Sequence, residues 1–408
     1  MSIKNIDSIY PWPAEKIVID RNALEQCGDF ICKKSWRKIM LVADENSFAA
    51  AGDQLIKYLS GDIEKKIYKK LLVSSEEAKA LSETIKSKNP DIILALGSGS
   101  ISDLCKYSSF LAQKPYIVVG TAPSMNGYIS QNASLWHQGL KSTFNAHGPT
   151  ALFFDIKILA KAPSRLIGSG FADLMCFSTC YLDWFLSHKV LQTKFIENAF
   201  SDLRPLQHFL LKNVDAIKTR NETAIANLTL ALLISGNSMV IAQGSYPASQ
   251  GEHLIAHTYE MINPHDSISH LHGESIGITT LHMIELQENF IKKYSAPKIR
   301  YISEGQAKKM LSAHFSDSLS NSCYAEYGKK LKNTESVAVA QKRLEDNWQN
   351  IIAAWQKENL SHEDLKNSLN KLEMPTKPSD LGWNEKKFSV ACRLAPLIRS
   401  RFTFLDLA

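Results

Sequence analysis

The sequence lacks the features that mark secreted, disulfide-built and membrane-spanning proteins. Its seven cysteines are an odd number without paired spacing, which argues against a disulfide scaffold and favours a reducing compartment. No basic stretch followed by an apolar one opens the chain, so we expect no secretory signal. The most apolar stretch, 227–243, is interrupted by Ser235, Asn237 and Ser238 and predicts a buried helix, too short and too polar for a membrane span. We expect a soluble cytoplasmic protein.

An excess of charge of one sign is also missing. The net charge is +6 over 408 residues, and no aromatic-and-basic stripe accompanies the one basic cluster, Lys65, Lys66, Lys69 and Lys70. We therefore predict a solvated strand edge at that cluster and no nucleic-acid partner. Apolar residues make up 44% and charged residues 22%, which is ordinary for globular proteins, and the length predicts two or three domains.

The chain up to about residue 160 alternates short β-rich runs with helical periods. The runs 91–96 and 116–120 are continuously apolar, which is typical of strands covered on both faces of a parallel sheet. The apolar spacing at 48–59 and 76–88 predicts helices that would form the crossover connections between such parallel strands. Strands are predicted at 16–20, 38–43, 66–72, 91–96, 116–120 and 150–154, with a hairpin over 134–144.

Strand signals nearly disappear after Pro163, and apolar residues then recur every three or four positions. The sequence thus predicts an α/β domain with a parallel sheet over 1–162 and an all-helical domain over 163–408. We expect the active site in the cleft between the two domains. Helices are predicted at 171–189, 196–213, 221–243, 273–293, 304–315, 333–357 and 361–371.

A turn rich in glycine and serine is the first candidate for cofactor binding. Gly97, Ser98, Gly99 and Ser100 connect a strand to a helix that has Asp103 in its first turn. Glycine allows a ligand to approach the backbone closely, and the free N–H groups of a helix start bind anions such as a pyrophosphate. The spacing is not that of the ordinary dinucleotide motif, so a simple tight turn is an equally good interpretation.

Two further polar loops follow predicted strands. Asp44 is placed to accept hydrogen bonds from a nucleotide ribose, which weakly favours NAD over NADP, although a helix N-cap explains it equally well. The loop 121–128 offers the hydroxyl groups of Thr121 and Ser124 and the amide of Asn126. Three polar loops at one edge of a sheet predict a shared ligand site.

Histidines are concentrated in a short part of the second half. Five of the twelve lie within twenty residues, among them His253, His257 and His272. His253 and His257 are four positions apart and would project from one face of a helix. Because imidazole binds zinc, iron, nickel and copper, the cluster predicts a metal site without selecting the metal, and a solvated histidine-rich loop is the alternative.

Together these motifs resemble those of the glycerol-1-phosphate dehydrogenase group of the dehydroquinate-synthase-like and iron-containing alcohol dehydrogenase superfamily. The resemblance spans the chain and implies the dehydroquinate-synthase-like fold, in which a nucleotide-binding domain precedes a helical metal- and substrate-binding domain. It rests on the segments 44–46, 97–103, 121–127, 170–173, 183–184, 251–253, 272–274 and 398–408, which occur in the family's order.

The resemblance implies an enzyme that uses NAD or NADP and one divalent metal, zinc first and nickel or iron otherwise. It implies metal ligands at Asp173, His253 and His272, and a proton-relay or supporting role for His257 beside the substrate. The implied reaction interconverts dihydroxyacetone phosphate and glycerol 1-phosphate, or a related small polyol and its ketone, with the metal as a Lewis acid. We also expect a homo-oligomer.

Two residues depart from the family pattern and raise the hypothesis of a different substrate. Asn126 stands where relatives usually carry an aspartate, and it can hydrogen-bond a hydroxyl group but cannot hold charge. Phe177 stands where relatives often carry a lysine, and on a continuous helix it would lie on the face of Asp173. Cys176 and Cys180 share that face and are interpreted as small buried apolar residues rather than metal ligands.

Lys141 in the predicted hairpin also fits the family pattern and would contact an anionic, phosphorylated substrate, with a solvated lysine as the alternative. Two other functions stay open. A cyclase of the dehydroquinate-synthase type would keep the fold, but it needs further basic and carboxylate residues that are not clustered in this sequence. A non-catalytic nucleotide-binding relative would fit Asn126 and Phe177 but leaves the intact ligand set unexplained.

Overall fold

Strands and helices alternate through the first part of the chain, as the apolar pattern predicts. The structure, a computed structural model, describes residues 12–137, 140–264, 270–293, 295–333 and 336–408, without the side chains of Leu140, Lys141 and Asn333. The elements of this part are β1 Lys16–Asp20, α1 Ala23–Lys33, β2 Lys38–Asp44, α2 Glu45–Ile56, β3 Asp62–Tyr68, α3 Ser75–Lys88, β4 Ile92–Gly97, α4 Gly99–Ala112, β5 Tyr116–Gly120, β6 Asn132–His137, β7 Leu140–Asn145, β8 Ala151–Asp155 and α5 Ile156–Leu159.

Six of these strands form one parallel sheet in the order β1-β8-β5-β4-β2-β3. The residues of β4, β5 and β8 are all buried, in agreement with their continuous apolar sequences. The predicted strand at 66–72 lies earlier, because Asp62 pairs with Lys38 and β3 is an edge strand whose charged side chains face solvent. The hairpin strands β6 and β7 pair antiparallel, and their turn at 138–139 is outside the described residues.

The sheet reverses its winding between β2 and β4. These strands are neighbours, with Ala43 paired with Leu96, yet β2 leads to β3 on one side and β4 leads to β5 on the other. Open α/β sheets bind ligands beyond the carboxyl ends of strands at such a switch point. Asp44 and Gly97 are the last residues of these two strands, so both lie at the carboxyl edge of the sheet beside the switch point.

The rest of the chain is helical, as predicted, with different boundaries. The single helix predicted at 171–189 is two helices, and the structure adds helices that the sequence pattern missed, such as 317–333, whose serines and charges obscure the apolar period. The helices are α6 Ser164–Met175, α7 Phe177–Leu191, α8 Leu203–Lys212, α9 Val214–Lys218, α10 Glu222–Ala242, α11 Gly251–Ile262, α12 His272–Lys293, α13 Glu304–Ser312, α14 Asp317–Asn333, α15 Val337–Glu358, α16 His362–Lys371 and α17 Glu385–Leu394.

The compact units of the structure divide the chain elsewhere than at the predicted boundary. One unit comprises 1–171 and 203–241, and the other comprises 172–202 and 242–408. The compact units therefore do not meet at residue 162. That boundary stays a prediction of where the nucleotide-binding part ends and the metal- and substrate-binding part begins. Within the first unit, α10 packs closely on the loop that follows β5, since a Cβ atom at Gly236 would lie 2.4 Å from the carbonyl oxygen of Asn126.

Among the described residues, α10 is the one helix that is long and apolar enough to cross a membrane by length and composition alone. It has 21 residues, and its most apolar 18-residue window has a mean hydropathy of 1.7, so the prediction that this segment is too short and too polar was wrong. However, 83% of its most apolar window is buried inside the protein, which agrees with the predicted buried helix.

A fully buried lysine joins helix α4 to the segment after β5. Lys106 Nζ lies 3.0 Å from Asp103 Oδ1 and donates to the carbonyl oxygens of Gly127 and Asn132 at 2.7 and 2.9 Å. Asp103 also accepts from the N–H of Ser134 at 3.1 Å. This network fixes the loop and the hairpin against the helix that begins at Gly99, and the sequence pattern gave no sign of it.

We predict that Lys106→Met destabilises the protein by about 3–5 kcal/mol, because it leaves the carboxylate of Asp103 buried without its cation. The matched control is Lys86→Met, because Lys86 and Glu83 have the same spacing on a helix but are exposed. This control is expected to change the free energy of unfolding by about 0.5 kcal/mol or less. Urea unfolding measures both values, and equal effects of the two variants would contradict the account.

Candidate metal and nucleotide sites

Three side chains from three helices meet in the second unit. Asp173 comes from the last part of α6, His253 from the first turn of α11, and His272 begins α12. Asp173 Oδ1 lies 4.0 Å from His253 Nε2 and 3.7 Å from His272 Nε2, and one ligand atom of each residue lies within 4.8 Å of the others. Asp173 is fully buried, whereas the side chain of His272 is 27% exposed. The structure thus brings together the three residues that the resemblance singled out.

This arrangement fits a divalent metal ion. Metal–nitrogen and metal–oxygen bonds of about 2.0–2.2 Å place neighbouring tetrahedral ligand atoms roughly 3.3–3.6 Å apart. The observed separations of 3.7 and 4.0 Å need only small side-chain movements to match that value. One carboxylate with two imidazoles is a ligand set of catalytic metal sites, which keep a coordination position open.

A buried carboxylate lies behind the ring of His253. Glu252 Oε1 accepts from His253 Nδ1 at 2.9 Å and from the backbone N–H of Gln250 at 2.7 Å, while Thr179 and Cys180 donate to the same carboxylate. Burial by itself raises the pKa of Glu252, but the hydrogen bonds and the charge of His253 lower it to about 2. When the His253 ring is neutral and its Nδ1–H donates to Glu252, Nε2 has the lone pair that a metal requires.

Sequence reasoning missed this role of Glu252. Its position beside a ligand histidine is a weak signal, because adjacent residues on a helix normally point in different directions. Glu252 and His253 both lie in the first turn of α11. The backbone N–H of the N-cap residue Gln250 donates to the same carboxylate of Glu252.

Asp183 anchors the start of the helix that carries His253. Its carboxyl group accepts from the N–H groups of Gly251 and Phe404 at 3.0 and 2.9 Å and from Gln287 Nε2 at 3.3 Å. Burial, together with repulsion from Glu252, raises the pKa of Asp183 to about 8. The family segment 183–184 therefore contains a residue that supports the site without facing the metal ligands.

His257 faces the same group of imidazoles. Its ring centroid lies 5.8 Å from that of His253 and 6.1 Å from that of His272, to which it is nearly parallel at 17°. Its Nδ1 atom lies 3.4 Å from Glu260 Oε2, and its side chain is 30% exposed. His257 is therefore placed to meet a ligand next to the Asp173, His253 and His272 group.

Phe177 does not follow the continuous helix that the sequence interpretation assumed. Helix α6 ends at Met175 and α7 begins at Phe177, so the four-residue spacing from Asp173 crosses a break. The ring of Phe177 is buried and packs on Phe200 with centroids 4.9 Å apart. Its role as a substrate contact stays a prediction, and the contact that the structure describes is aromatic packing. Cys176 belongs to a buried cluster with Cys180, Ala256 and Ile276.

In the first unit, the predicted anion-binding turn after β4 leads directly into helix α4. Helix α4 begins at Gly99 directly after Ser98, its N-cap, whose side chain makes no capping hydrogen bond. A Cβ atom at Gly97 would lie 2.6 Å from Ile101, and one at Gly99 would lie 2.5 Å from Met125 Sδ. A side chain at position 97 would therefore collide with Ile101, whereas one at position 99 would displace the flexible end of Met125. The exposed Ser100 is the second residue of α4.

The other predicted cofactor residues have protein partners of their own. Asp44 caps α2, with its carboxylate accepting from the N–H and the hydroxyl of Ser47 at 2.9 and 2.7 Å. Asp103 is paired with Lys106, as described above. Thr121 donates its backbone N–H to Gly97 at 3.1 Å, which joins the two loops. These bonds are compatible with a nucleotide beside the loops, but they give Asp103 a structural role.

Ser124, a predicted cofactor residue, and two predicted substrate residues, Asn126 and Lys141, also belong to the first unit. Ser124 Oγ lies 3.2 Å from the hydroxyl of Tyr128. Asn126 Nδ2 lies 3.4 Å from Ser235 Oγ of α10, so its amide is held against that helix. The backbone of Lys141 pairs with Trp136 in the hairpin, and its side chain lies outside the described part of the chain.

Comparisons with known proteins agree with this architecture. A family model described as iron-containing alcohol dehydrogenase matches residues 18–163. A glycerol-1-phosphate dehydrogenase (NAD(P)+) from Halalkalibacterium halodurans is 32% identical over 287 residues, which cover 68% of this chain and 72% of the relative. A protein of the same name from Thermococcus sibiricus is 33% identical over 272 residues, covering 63% and 77%.

Solved structures with low sequence identity share the fold. A probable glycerol dehydrogenase from Sinorhizobium meliloti has a TM-score of 0.64 at 15% identity, with 97% of this chain and 94% of that chain covered. A sulfoacetaldehyde reductase from Bifidobacterium kashiwanohense in complex with NAD+ has a TM-score of 0.64 at 14% identity, covering 97% and 96%. The predicted dehydroquinate-synthase-like fold, a parallel α/β sheet followed by helices, is confirmed.

We predict that Glu252→Ala weakens divalent metal binding by about 10- to 100-fold, because His253 loses the acceptor that fixes its ring and its proton. Glu252→Gln keeps an oxygen acceptor and should lose less. Competition with a chromophoric chelator for zinc measures the affinity. Glu260→Gln, a change near His257 rather than near a ligand, serves as the control, and wild-type affinity in Glu252→Ala would contradict the assignment.

Proposed function

The chain belongs to the glycerol-1-phosphate dehydrogenase family of the iron-containing alcohol dehydrogenases, and we propose that it is a metal- and NAD(P)-dependent oxidoreductase of a small polyol phosphate. The proposed reaction interconverts dihydroxyacetone phosphate and glycerol 1-phosphate, or a closely related pair. One observation carries the proposal: Oδ1 of Asp173 lies within 4.0 Å of Nε2 of both His253 and His272.

Asp173, His253 and His272 are proposed to hold one divalent metal. When bound, the metal supplies a Lewis acid that polarises the substrate carbonyl. Zinc is our first choice because catalytic zinc sites use two imidazoles and one carboxylate, and nickel and iron accept the same donors. Glu252 accepts the Nδ1–H of His253 and so keeps Nε2 available as the ligand atom.

The turn at Gly97–Gly99 and the start of α4 are proposed to bind the pyrophosphate of NAD(P), because free N–H groups at a helix start favour anions. When bound, the nicotinamide exchanges a hydride with the substrate carbon. The carboxylate of Asp44 ends the neighbouring strand and would repel a 2′-phosphate, which favours NAD. Thr121 and Ser124 are proposed as further contacts.

His257 is proposed to carry the proton that the alcohol group gains or loses. Its Nδ1 atom lies beside the buried carboxylate of Glu260, which supports a proton on Nδ1 and leaves Nε2 to exchange a proton with the substrate. Asn126 and Lys141 are proposed as substrate contacts, the first for a hydroxyl group and the second for a phosphate. A homo-oligomer and a cytoplasmic location stay predictions from the sequence.

We expect His253→Ala and His272→Ala to lose metal and activity while remaining folded, since each change removes one ligand of three. Bound metal is measured by elemental analysis, activity by NADH oxidation and folding by circular dichroism. His314→Ala, a change at an exposed histidine, is the control and should keep both metal and activity. Full metal content in either ligand variant would refute the ligand assignment.

The substrate is tested by NADH and NADPH oxidation against dihydroxyacetone phosphate, dihydroxyacetone and glyceraldehyde phosphate, with zinc, nickel or iron added. We expect the phosphorylated ketone to give the highest kcat/KM and NADH to be preferred. No nucleotide oxidation with any metal and substrate would refute the proposed function.

A separate prediction concerns Lys141. If its ammonium group binds the substrate phosphate, Lys141→Ala should raise KM for dihydroxyacetone phosphate by about 10-fold or more, the loss expected for a charged hydrogen bond. KM for unphosphorylated dihydroxyacetone should stay nearly unchanged in the same variant. An equal change in both KM values would remove the phosphate contact.

A further inference from the structure

Two thiols, a carboxylate and a ring nitrogen form a second group of metal-ligand types in the second unit. We propose that Cys176, Cys180, Glu252 and Nδ1 of His253 form a site for a thiophilic divalent cation such as zinc or cadmium, next to the Asp173 site and sharing the His253 ring with it. The new site would use the opposite nitrogen of the His253 ring. This proposal does not depend on the enzymatic activity proposed above.

The four potential ligand atoms are already close together. Cys180 Sγ lies 3.9 Å from Cys176 Sγ and 3.1 Å from Glu252 Oε1, and that oxygen lies 2.9 Å from His253 Nδ1. One ligand atom each of Cys176, Glu252 and His253 lies within 4.8 Å of the others. All four residues are buried. The cluster is therefore a compact set with donors from two helices, α7 and α11.

Two of the separations are close to those around a tetrahedral ion. Bonds of about 2.3 Å to sulfur and about 2.0 Å to nitrogen or oxygen place two sulfur atoms roughly 3.8 Å apart and a nitrogen–oxygen pair roughly 3.3 Å apart. The sulfur pair at 3.9 Å needs no change, and the nitrogen–oxygen pair at 2.9 Å must open by a few tenths of an ångström. Two thiolates with one imidazole and one carboxylate favour soft or borderline ions over magnesium or calcium.

The surroundings favour anionic ligands at this place. Cys176 is the N-cap of α7, and Glu252 lies in the first turn of α11, so both face the positive end of a helix dipole. The guanidinium group of Arg401 attracts both Cys180 and Glu252. Two thiolates, one carboxylate and a divalent ion leave one negative charge, which Arg401 offsets. A buried site requires such a balance.

Without the ion, the same atoms form a hydrogen-bonded network. Burial raises the pKa of the Cys180 thiol well above its ordinary value, so this thiol carries a proton and donates to Glu252. A cation must displace the protons of both thiols, which pass to solvent as the metal–sulfur bonds form. When the Asp173 site is empty, the Nδ1 proton of His253 moves to Nε2 of the same ring, and when that site is filled, the proton passes to solvent and the ring bridges the two ions as an imidazolate.

The test is a titration of the full-length, metal-free chain with cobalt(II), followed by absorption spectroscopy. Cobalt bound to thiolates gives an intense near-ultraviolet charge-transfer band, whereas the Asp173, His253 and His272 set contains no sulfur and cannot give it. We expect this band in the wild-type protein and its loss in Cys176→Ala and in Cys180→Ala. Cys323→Ala, a change at another buried cysteine, is the matched control and should keep the band.

Asp173→Asn separates this proposal from the proposed function. The variant should lose activity and keep the thiolate band, since the second site does not use Asp173. No band in folded wild-type protein at excess cobalt overturns the second site, whether or not the alanine variants fold. Loss of the band in Asp173→Asn, or in Cys323→Ala alone, also overturns it. If the wild type shows the band but no nucleotide oxidation, the proposed function fails and the second site stands.

Discussion

The buried carboxylate of Glu252 is the constraint on which the helical site depends. An ionised carboxylate inside a protein is stable only where hydrogen-bond donors replace the water that it has lost. The backbone N–H of Gln250, the hydroxyl of Thr179, the thiol of Cys180 and the Nδ1–H of His253 supply those donors. Every donor lies at the start of α7 or α11, so satisfying one carboxylate fixes both helix starts and the orientation of the His253 ring.

A second carboxyl group shows how the protein limits the charge that it buries. Asp183 is repelled by Glu252, and its pKa of about 8 leaves it mostly protonated at neutral pH. The two groups are thus held in different charge states by their surroundings, since Glu252 has the nearby cationic partners and Asp183 has mainly backbone N–H donors. Asp183 also receives the N–H of Phe404, which joins the last residues of the chain to the start of α11. The position of His253, a proposed metal ligand, therefore depends on residues far away in the sequence.

The sequence predicted those parts of the structure that local patterns determine. The continuous apolar runs identified β4 and β5, and the spacing of His253 and His257 identified one helix face. The roles of Lys106 and Glu252 were missed because their partners are distant in the sequence. Asn132 lies 26 residues from Lys106, and Thr179 lies 73 residues from Glu252, so no local pattern reveals these pairs. The three proposed metal ligands were selected by family resemblance, because Asp173 lies far from both histidines along the chain.

The break between α6 and α7 changes what the loss of the family's lysine means for the substrate. On a continuous helix, the ring of Phe177 would lie beside Asp173 in place of the family's lysine. In the structure this ring packs on Phe200 instead, so the lysine's positive charge is missing and the described contacts of Phe177 put no aromatic ring beside Asp173 in its place. A divalent metal held by Asp173 would keep a net positive charge and would itself attract a phosphate. Without the family's lysine, recognition of a phosphorylated substrate would rest on that ion, on backbone N–H groups or on a lysine such as Lys141, whereas a neutral polyol needs no added cation.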